Sequence, residues 1–180
     1  MKIINSLSSH RAFKAYFTEK NLEAQEMSKN IFELKRQMKS ALATNTYDVS
    51  VLVVGLNGSS FLNSSELLAI RPNEILNMDI SKKSLENNNN ILYQYLDKGF
   101  TSTTRDEPVI VITKALNSKN GNPYGIIYFT VKEKDFEKFY DYFTVEINDI
   151  VVLNENNIVL SSNKKENVGQ VQDEFRTDID

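Results

Sequence analysis

The order of structural elements is clearest between residues 108 and 169. Residues 108–143 read PVIVITKALNSKNGNPYGIIYFTVKEKDFEKFYDYF, and residues 148–169 read NDIVVLNENNIVLSSNKKENVG. The first segment predicts two strands joined by a glycine-containing loop and followed by a short amphipathic helix. The second predicts another strand pair across an asparagine-rich turn. A small antiparallel sheet that leads through a helix into the start of another sheet is therefore the predicted layout.

A further hairpin is predicted upstream of this stretch. Residues 49–56, VSVLVVGL, form a continuous apolar run that predicts a buried strand. Asn57 and Gly58 follow it, and both tolerate positive φ, which is typical of a tight hairpin turn. Residues 59–63 are then the returning strand. The strand pair within residues 148–169 repeats this order, so the chain is predicted to hold one sheet module and the first hairpin of another.

The pattern between the upstream hairpin and residue 108 is less regular. Residues 64–80 are compatible with a short helical turn that Pro72 breaks, because proline lacks the backbone N–H. Residues 91–96 carry apolar side chains at helical spacing, and the predicted helix ends at Gly99. Residues 100–104 are short and β-branched, and they predict a strand at the rim of a pocket.

Residues 10–44 predict one long amphipathic helix. Apolar residues recur there mostly three or four positions apart, and neither Pro nor Gly interrupts them. At roughly 1.5 Å per residue this helix would be about 50 Å long. Two interpretations stay open: a helix that covers the core, or a stalk whose N-terminal end forms a dimerisation seam. A shorter helix predicted at residues 133–143 would place Phe136, Phe139, Tyr140 and Phe143 on one face.

The composition narrows the possible functions. The chain has no cysteine, which excludes disulfides, thiolate zinc sites and a cysteine nucleophile. The net charge is −3 and the lysines are interspersed among acidic residues, so the sequence predicts no basic patch that would bind nucleic acid. His10 is the single histidine, and no acid–base or nucleophile set converges. We therefore expect no enzyme activity and no cofactor. No apolar run approaches the roughly 18 residues needed to span a bilayer.

Aromatic, hydroxyl-bearing and basic residues cluster before and on the strand pair of residues 109–131. Small-molecule pockets are mostly apolar or aromatic with a few placed polar groups, and this set fits that description. The candidate ligand-binding residues are Tyr93, Tyr95, Phe100, Ser102, Thr104, Arg105, Thr113, Lys114, Tyr128 and Thr130. In the alternative interpretation, Tyr95 and Tyr128 belong to the core while Arg105 and Lys114 lie on the surface. If either basic residue faces inward, an anionic ligand such as a carboxylate is expected.

Taken in order, these elements resemble the Cache-type, double-PAS extracellular sensor domains of bacterial transmembrane receptors. The resemblance is greatest to sensor histidine kinases of Gram-positive bacteria. The matching segments are the long first helix, VSVLVVGLNGSSFLN, LYQYLDKGFTST, the pair PVIVITKAL and YGIIYFTV, and NDIVVLNENNIVLSSNKKENVG. The resemblance implies an α+β fold in which a long N-terminal helix packs on a PAS-like antiparallel sheet. It also implies that a second, truncated PAS-like module begins after this sheet.

The same resemblance implies how the chain is divided and where it works. Residues 1–45 would be a stalk or dimerisation helix, residues 46–131 the membrane-distal sensor module, residues 132–146 a linking helix and residues 147–180 the start of a membrane-proximal module. The ligand would be a small molecule, and the partner a second copy held through the N-terminal helix. The parent protein would be membrane-anchored, with this domain on the extracellular face.

One departure from the family pattern bears on the ligand. Amino-acid-binding members carry an Arg-x-Trp-Tyr motif on the helix before the rim strand and an Asp late in the last distal strand. The matching positions here read Asn90-Ile91-Leu92-Tyr93 and Thr130, so only the tyrosine is shared. A buried carboxylate or ammonium needs a partner, and we therefore expect a ligand other than an ordinary α-amino acid.

Two other functions stay open at this point. One is a cytosolic PAS-like regulatory module, although the chain lacks a cysteine for a flavin adduct. The other is a dimerisation or assembly domain in which side chains such as Tyr93, Phe100 and Tyr128 fill the pocket.

Overall fold

The computed structural model describes residues 11–18, 23–42, 49–143 and 148–172. The α-helices are α1 (Arg11–Thr18), α2 (Ala24–Leu42), α3 (Pro72–Asn77), α4 (Asp79–Glu86) and α5 (Glu133–Phe136), with 3-10 turns at Glu137–Phe139, Asp141–Phe143 and Lys165–Asn167. The strands are β1 (Ser50–Gly55), β2 (Ser60–Leu62), β3 (Leu92–Leu96), β4 (Val109–Asn117), β5 (Pro123–Lys132), β6 (Val151–Leu153) and β7 (Val159–Ser162).

Five strands form one antiparallel sheet in the order β2-β1-β5-β4-β3. The predicted pair β4 and β5 is confirmed, and β1 joins β5 with Leu52 opposite Tyr128. The upstream hairpin is also confirmed, and Gly58 in its turn has a φ of 85°. β6 and β7 form a separate antiparallel ribbon, as predicted. The α+β class with an antiparallel sheet is therefore correct.

Alternation along the strands gives the sheet two apolar faces, and helices cover both. On one side, here called the α2 face, Leu34 and Met38 of α2 join Phe17 of α1 against β1 and β5. On the other, the α4 face, Ile75 of α3 and Ile80 of α4 pack on the same two strands and on β4. Each large apolar side chain removed from water contributes about 1.5–3 kcal/mol. The sheet is covered on both sides, as its continuous apolar runs indicate.

The long helix predicted for residues 10–44 is not a single helix. The chain forms α1 and α2, which pack against each other, and Glu23 between them is not helical. Both helices bury one side on the same sheet, so the apolar spacing continues across the break and cannot reveal it. α2 has 19 residues, which corresponds to about 28 Å. Residues 1–10, which include His10, lie outside the described residues, and nothing in the described part tests the predicted dimerisation seam.

Residues 64–104 differ most from expectation. Pro72 begins α3 instead of breaking a helix, because the first helical position needs no N–H. The helix predicted at residues 91–96 is wrong: this segment is strand β3, paired with β4. Apolar residues at 91, 92, 95 and 96 fit both periods, and pairing with a neighbouring strand decides between them. Residues 100–104 form a turn with a single bridge from Thr101 to Leu68, rather than a rim strand.

The predicted linking helix is shorter and less regular than expected. Lys132 still belongs to β5, α5 is a single turn, and two 3-10 turns follow as far as Phe143. Of its four aromatic side chains, Tyr140 is buried, whereas Phe139 and Phe143 are exposed. Residues 144–147 and 173–180 lie outside the described part of the chain. In the part that is described, no helix combines the length and apolar character needed to cross a bilayer.

Candidate functional site

Two predicted ligand residues, Phe100 and Tyr128, meet at the centre of the α4 face. Their rings lie edge to face with centroids 5.3 Å apart, and both side chains are buried. The Tyr128 hydroxyl lies 2.8 Å from Ser81 Oγ, which donates at 2.5 Å to the Ile75 carbonyl. Because this uses the single serine proton, Tyr128 must be the donor to Ser81. Side chains of the protein itself therefore occupy the space beneath α4 where a pocket was expected.

A third predicted residue, Thr113, lies on the same face and opposite Tyr128 in the strand register. Its hydroxyl and that of Ser84 in α4 are both fully buried, and neither has a hydrogen-bond partner among the described residues. An unpaired buried hydroxyl costs about 1–3 kcal/mol because it has lost its water. Since α4 packs on β4, the interface of these two elements is short of polar partners.

Four more predicted residues lie beyond the sheet centre, in two places. Thr104 and Thr130 border a small polar cavity of about 30 Å³. Ser102 and Arg105 border a surface hollow of about 390 Å³. The Arg105 guanidinium contacts Asp106 at 2.9 Å, and both side chains are largely exposed. Arg105 therefore does not face inward, which removes one reason to expect an anionic ligand.

The remaining three predicted residues lie on β3 and β4. Tyr93 is exposed on β3, and half-buried Lys114 of β4 alternates with Thr113 and so lies on the α2 side of the sheet. Tyr95 is partly buried at the free edge of the sheet. The ten candidate residues are thus distributed over several sites and do not converge on one pocket.

A cleft at this free edge, here called the edge cleft, includes one predicted residue, Tyr95. It has a volume of about 820 Å³ and lies between α4, β3 and the β6–β7 turn. Its lining comprises Met78, Asp79, Ile80, Lys83, Asn87, Asn90, Leu92, Gln94, Tyr95, Leu96, Asn154, Glu155, Asn156 and Ile158. Sequence reasoning found only Tyr95, because the asparagine runs near residues 90 and 155 were interpreted as solvated loops and turns.

The β6–β7 hairpin is fixed to the edge strand by a buried asparagine. Asn154 Nδ2 donates to the Tyr93 carbonyl at 2.9 Å, while its Oδ1 accepts from the backbone N–H groups of Asn156 and Ile158. One side chain therefore shapes the turn and ties it to β3. This contact joins residues that are 61 positions apart, and it closes one side of the edge cleft.

Gly169, which follows the β6–β7 hairpin, lies close to the edge strand β3. Gly169 has a φ of 80°, and a Cβ at that position would lie 2.7 Å from Tyr95 Cε1. Only glycine suits this backbone conformation and close approach together. Burial, followed by a hydrogen bond to Asp97, raises the pKa of Tyr95 to about 12. Tyr95 is therefore a neutral, sterically fixed wall of the edge cleft near neutral pH.

A buried polar cluster joins the linker to the second hairpin. Ser161 of β7 donates to Glu133 at 2.6 Å, and Tyr140 lies 2.8 Å from Ser161. Lys165 contacts both Glu133 and Glu137, at 3.1 and 2.9 Å. Burial would lower the pKa of Lys165, but its hydrogen bonds to the two carboxylates outweigh this and raise it. The cluster is a structural joint, since each of its charges has a partner.

Comparison with known proteins finds the same fold in solved structures. No family model matches the chain, and no curated protein matches it by sequence. The ligand-binding domain of the Campylobacter jejuni chemoreceptor Tlp3, in complex with 4-methylisoleucine, is similar with a TM-score of 0.58 and 17% identity over 97% of this chain. That of the Pseudomonas aeruginosa amino acid chemoreceptor PctC, in complex with GABA, gives 0.57 and 10% over 94%. The periplasmic sensory domain of the C. jejuni chemoreceptor Tlp1 gives 0.53 and 12% over 94%.

At these identities the comparison establishes the fold. The chain has the fold of bacterial chemoreceptor ligand-binding domains, which agrees with the Cache-type architecture expected from the sequence. It spans 65%, 72% and 65% of the lengths of the three solved domains. These neighbours are ligand-binding and sensory domains.

Proposed function

We propose that this domain binds a small molecule outside the cell and passes the signal on within a bacterial transmembrane receptor. The observation that carries the proposal is the fold: a five-stranded antiparallel sheet with helices on both faces that matches chemoreceptor ligand-binding domains over nearly the whole chain. The neighbours include a periplasmic sensory domain, which supports an extracytoplasmic location and a membrane-anchored parent protein.

The output module is a finer part of the proposal. A sensor histidine kinase is the output we propose, on the resemblance of the hairpins and of the sequence LYQYLDKGFTST to such receptors. The solved neighbours are chemoreceptors, and a chemotaxis output is therefore the alternative. Either output would receive the signal through the same structural route, from the five-stranded sheet through α5 to the second hairpin. We also propose the division expected from the sequence: a stalk or dimerisation helix in residues 1–45, a membrane-distal sensor module in residues 46–131, a linking helix in residues 132–146 and the start of a membrane-proximal module in residues 147–180.

A homodimer formed through the N-terminal helices is part of the same proposal. α2 buries Leu34 and Met38 against the sheet but leaves Phe32 68% exposed and Met27 42% exposed. Phe32 lies on the side of α2 that faces away from the sheet, whereas Met27 lies near the start of the helix in line with Leu34 and Met38; both apolar side chains are accessible to a partner. A second copy of the chain would cover them, and ligand binding would favour one arrangement of the two copies by differential affinity.

A thermal-shift screen tests the proposed function. The purified chain is heated with carboxylates, sugars, polyols, polyamines, amino acids and short peptides, each in excess. A ligand that binds only the folded state raises the melting temperature by mass action, by about 2.7 kcal/mol of added stability at a hundred times its dissociation constant. At least one class should give a concentration-dependent rise. No rise in any class would contradict the proposal.

A domain that serves only in assembly is the second candidate, and one observation favours it. Phe100 and Tyr128 are buried together beneath α4, where a PAS-like pocket was expected. A null result in the ligand screen combined with a stable dimer would support this candidate over the sensor.

A further inference from the structure

We infer that the edge cleft is the ligand site and that it takes an uncharged, hydroxyl-bearing small molecule such as a monosaccharide or polyol. This inference rests on the proposed sensing function and names the place and the chemistry of recognition. Contacts from both sheets are part of it, since α4 and β3 form one side of the cleft and the β6–β7 turn forms the other.

The first step is space. The α4 face is occupied at its centre by Phe100 and Tyr128, whose side chains are 1% and 0% exposed. The edge cleft, by contrast, holds about 820 Å³, which lies within the range of about 300–1,000 Å³ that is usual for small-molecule sites. A ligand can enter the cleft without displacing a core side chain.

The second step is the chemistry of the lining. The apolar floor is formed by residues such as Ile80 and Leu92, and amide side chains such as Gln94 and Asn156 stand among them. An amide both donates and accepts hydrogen bonds, as a hydroxyl does, and it carries no charge. The cleft therefore suits a ligand with several hydroxyl groups and an apolar ring face.

The third step is charge. The charged lining residues are Asp79, Lys83 and Glu155, and all three are exposed. They carry both signs, and Asp79 lies 3.7 Å from Lys82. These charges lie at exposed positions and the floor residues named above carry none, so a ligand carboxylate or ammonium on the floor would be removed from water at a distance from them, which is costly. This disfavours amino acids and dicarboxylates at this site.

The fourth step is the unpaired hydroxyls. Thr113 is directly opposite the lining residue Leu92 on β3, and Ser84 is one helical turn after the lining residue Ile80. Both hydroxyls are buried without a partner among the described residues. Neither residue lines the cleft, but both neighbour residues that do, and a water molecule buried behind the floor would supply the missing partner.

The test combines ligand mapping with matched variants of the full chain. Two-dimensional ¹H–¹⁵N spectra are recorded with D-glucose, D-galactose, D-ribose, myo-inositol or glycerol, and separately with L-valine, GABA or succinate. At least one of the hydroxyl compounds should shift the amide signals of β3, α4 and the β6–β7 turn together. Gln94→Leu and Asn156→Ala should each weaken that binding about tenfold, the equivalent of one lost hydrogen bond.

Asn120→Ala is the matched control for Asn156→Ala, because Asn120 is also an exposed turn asparagine but lies in the β4–β5 loop. It should leave binding unchanged, and circular dichroism and melting temperature verify that each variant folds. Binding that maps to another surface and is unaffected by Gln94→Leu would overturn the site and leave the sensing function standing. Binding of L-valine, GABA or succinate alone in the cleft would overturn the ligand class. No binding by any compound here or in the thermal-shift screen would overturn the sensing function as well.

Discussion

The protein contains two buried hydrogen-bond chains of the same design, each running from a tyrosine through a serine to an acceptor oxygen, here called relays. In the sheet, Tyr128 donates to Ser81, which donates to a backbone carbonyl. At the joint, Tyr140 is paired with Ser161, which donates to Glu133. In each relay the serine places its single proton on an acceptor, so the tyrosine must be the donor. The relays allow bulky aromatic rings to be buried without leaving a phenol unpaired, which would be costly.

Tyr128→Phe is expected to destabilise the fold by about 0.5–1.5 kcal/mol at pH 8, because one buried hydrogen bond is lost. Above pH 10 the difference should shrink. Burial raises the pKa of Tyr128, and it raises the pKa of Tyr124 to about 12, whereas an unfolded tyrosine ionises near about 10. Between these values the unfolded chain binds fewer protons than the folded one, so stability falls as the pH rises.

Urea unfolding at pH 8, 10 and 11 checks this expectation. The wild-type protein should lose stability across the series, and the Phe variant should lose less. Tyr142→Phe is the control, because Tyr142 is 94% exposed. Equal slopes for the wild-type protein and Tyr128→Phe would contradict the assignment of alkaline sensitivity to this buried phenol.

At the scale of elements, the strands were more predictable than the helices. β1, β4 and β5 are predictable because each is a continuous run rich in β-branched residues. Turns that contain glycine and asparagine follow β1 and β4 and mark where these strands end. β3 was mistaken for a helix because the six residues 91–96 cannot distinguish a period of 2 from one of 3.6 when residues 91, 92, 95 and 96 are all apolar. The break between α1 and α2 was invisible because both helices cover the same sheet.

Most of the edge cleft could not be predicted from the sequence, for a related reason. The filling of the α4 face depends on Tyr128 meeting Ser81 and Phe100, which are distant in sequence and meet only through tertiary packing. The edge cleft depends on Asn154 reaching β3 across 61 positions. Polar asparagines with no periodic pattern give no local signal of such a contact, so only Tyr95 of the cleft lining was found.

Gly169→Ala is expected to loosen the β6–β7 hairpin from the sheet. The added Cβ would meet the Tyr95 ring at 2.7 Å, and the φ of 80° is already unfavourable for alanine. Gly121→Ala is a matched control, since Gly121 has a φ of 81° but open space around its Cβ position. It isolates the cost of the backbone conformation, which is about 1 kcal/mol.

Hydrogen exchange measures the difference between these two variants. In Gly169→Ala, the amides of β6 and β7 should exchange faster, with little change in β1, β4 and β5. In Gly121→Ala, the ribbon should keep its protection. Similar exchange in the ribbons of both variants would show that the Tyr95 contact contributes little to docking.

At the scale of the whole molecule, the proposed homodimer would form through the free side of α2. Phe32→Glu is expected to shift a homodimer toward monomer, because burying an unpaired carboxylate at the interface is costly. Phe32 is 68% exposed, so the melting temperature of the monomer should change little. Analytical ultracentrifugation over a concentration series measures the association constant, with Phe143→Glu, at a 72% exposed position, as the control. Unchanged association in Phe32→Glu would place the dimer contact elsewhere.

The asparagine clamp on β3 has one more consequence, for solubility. β3 is the last strand of its sheet, and its outward row of peptide groups is a template on which another chain could add a strand. Asn154 blocks a further strand there because its Nδ2 donates to the Tyr93 carbonyl, and β7 also contacts β3. A shortened protein that ends before residue 148 would expose the β3 edge. Such fragments should associate with one another through β3 even though their five-stranded sheet is intact.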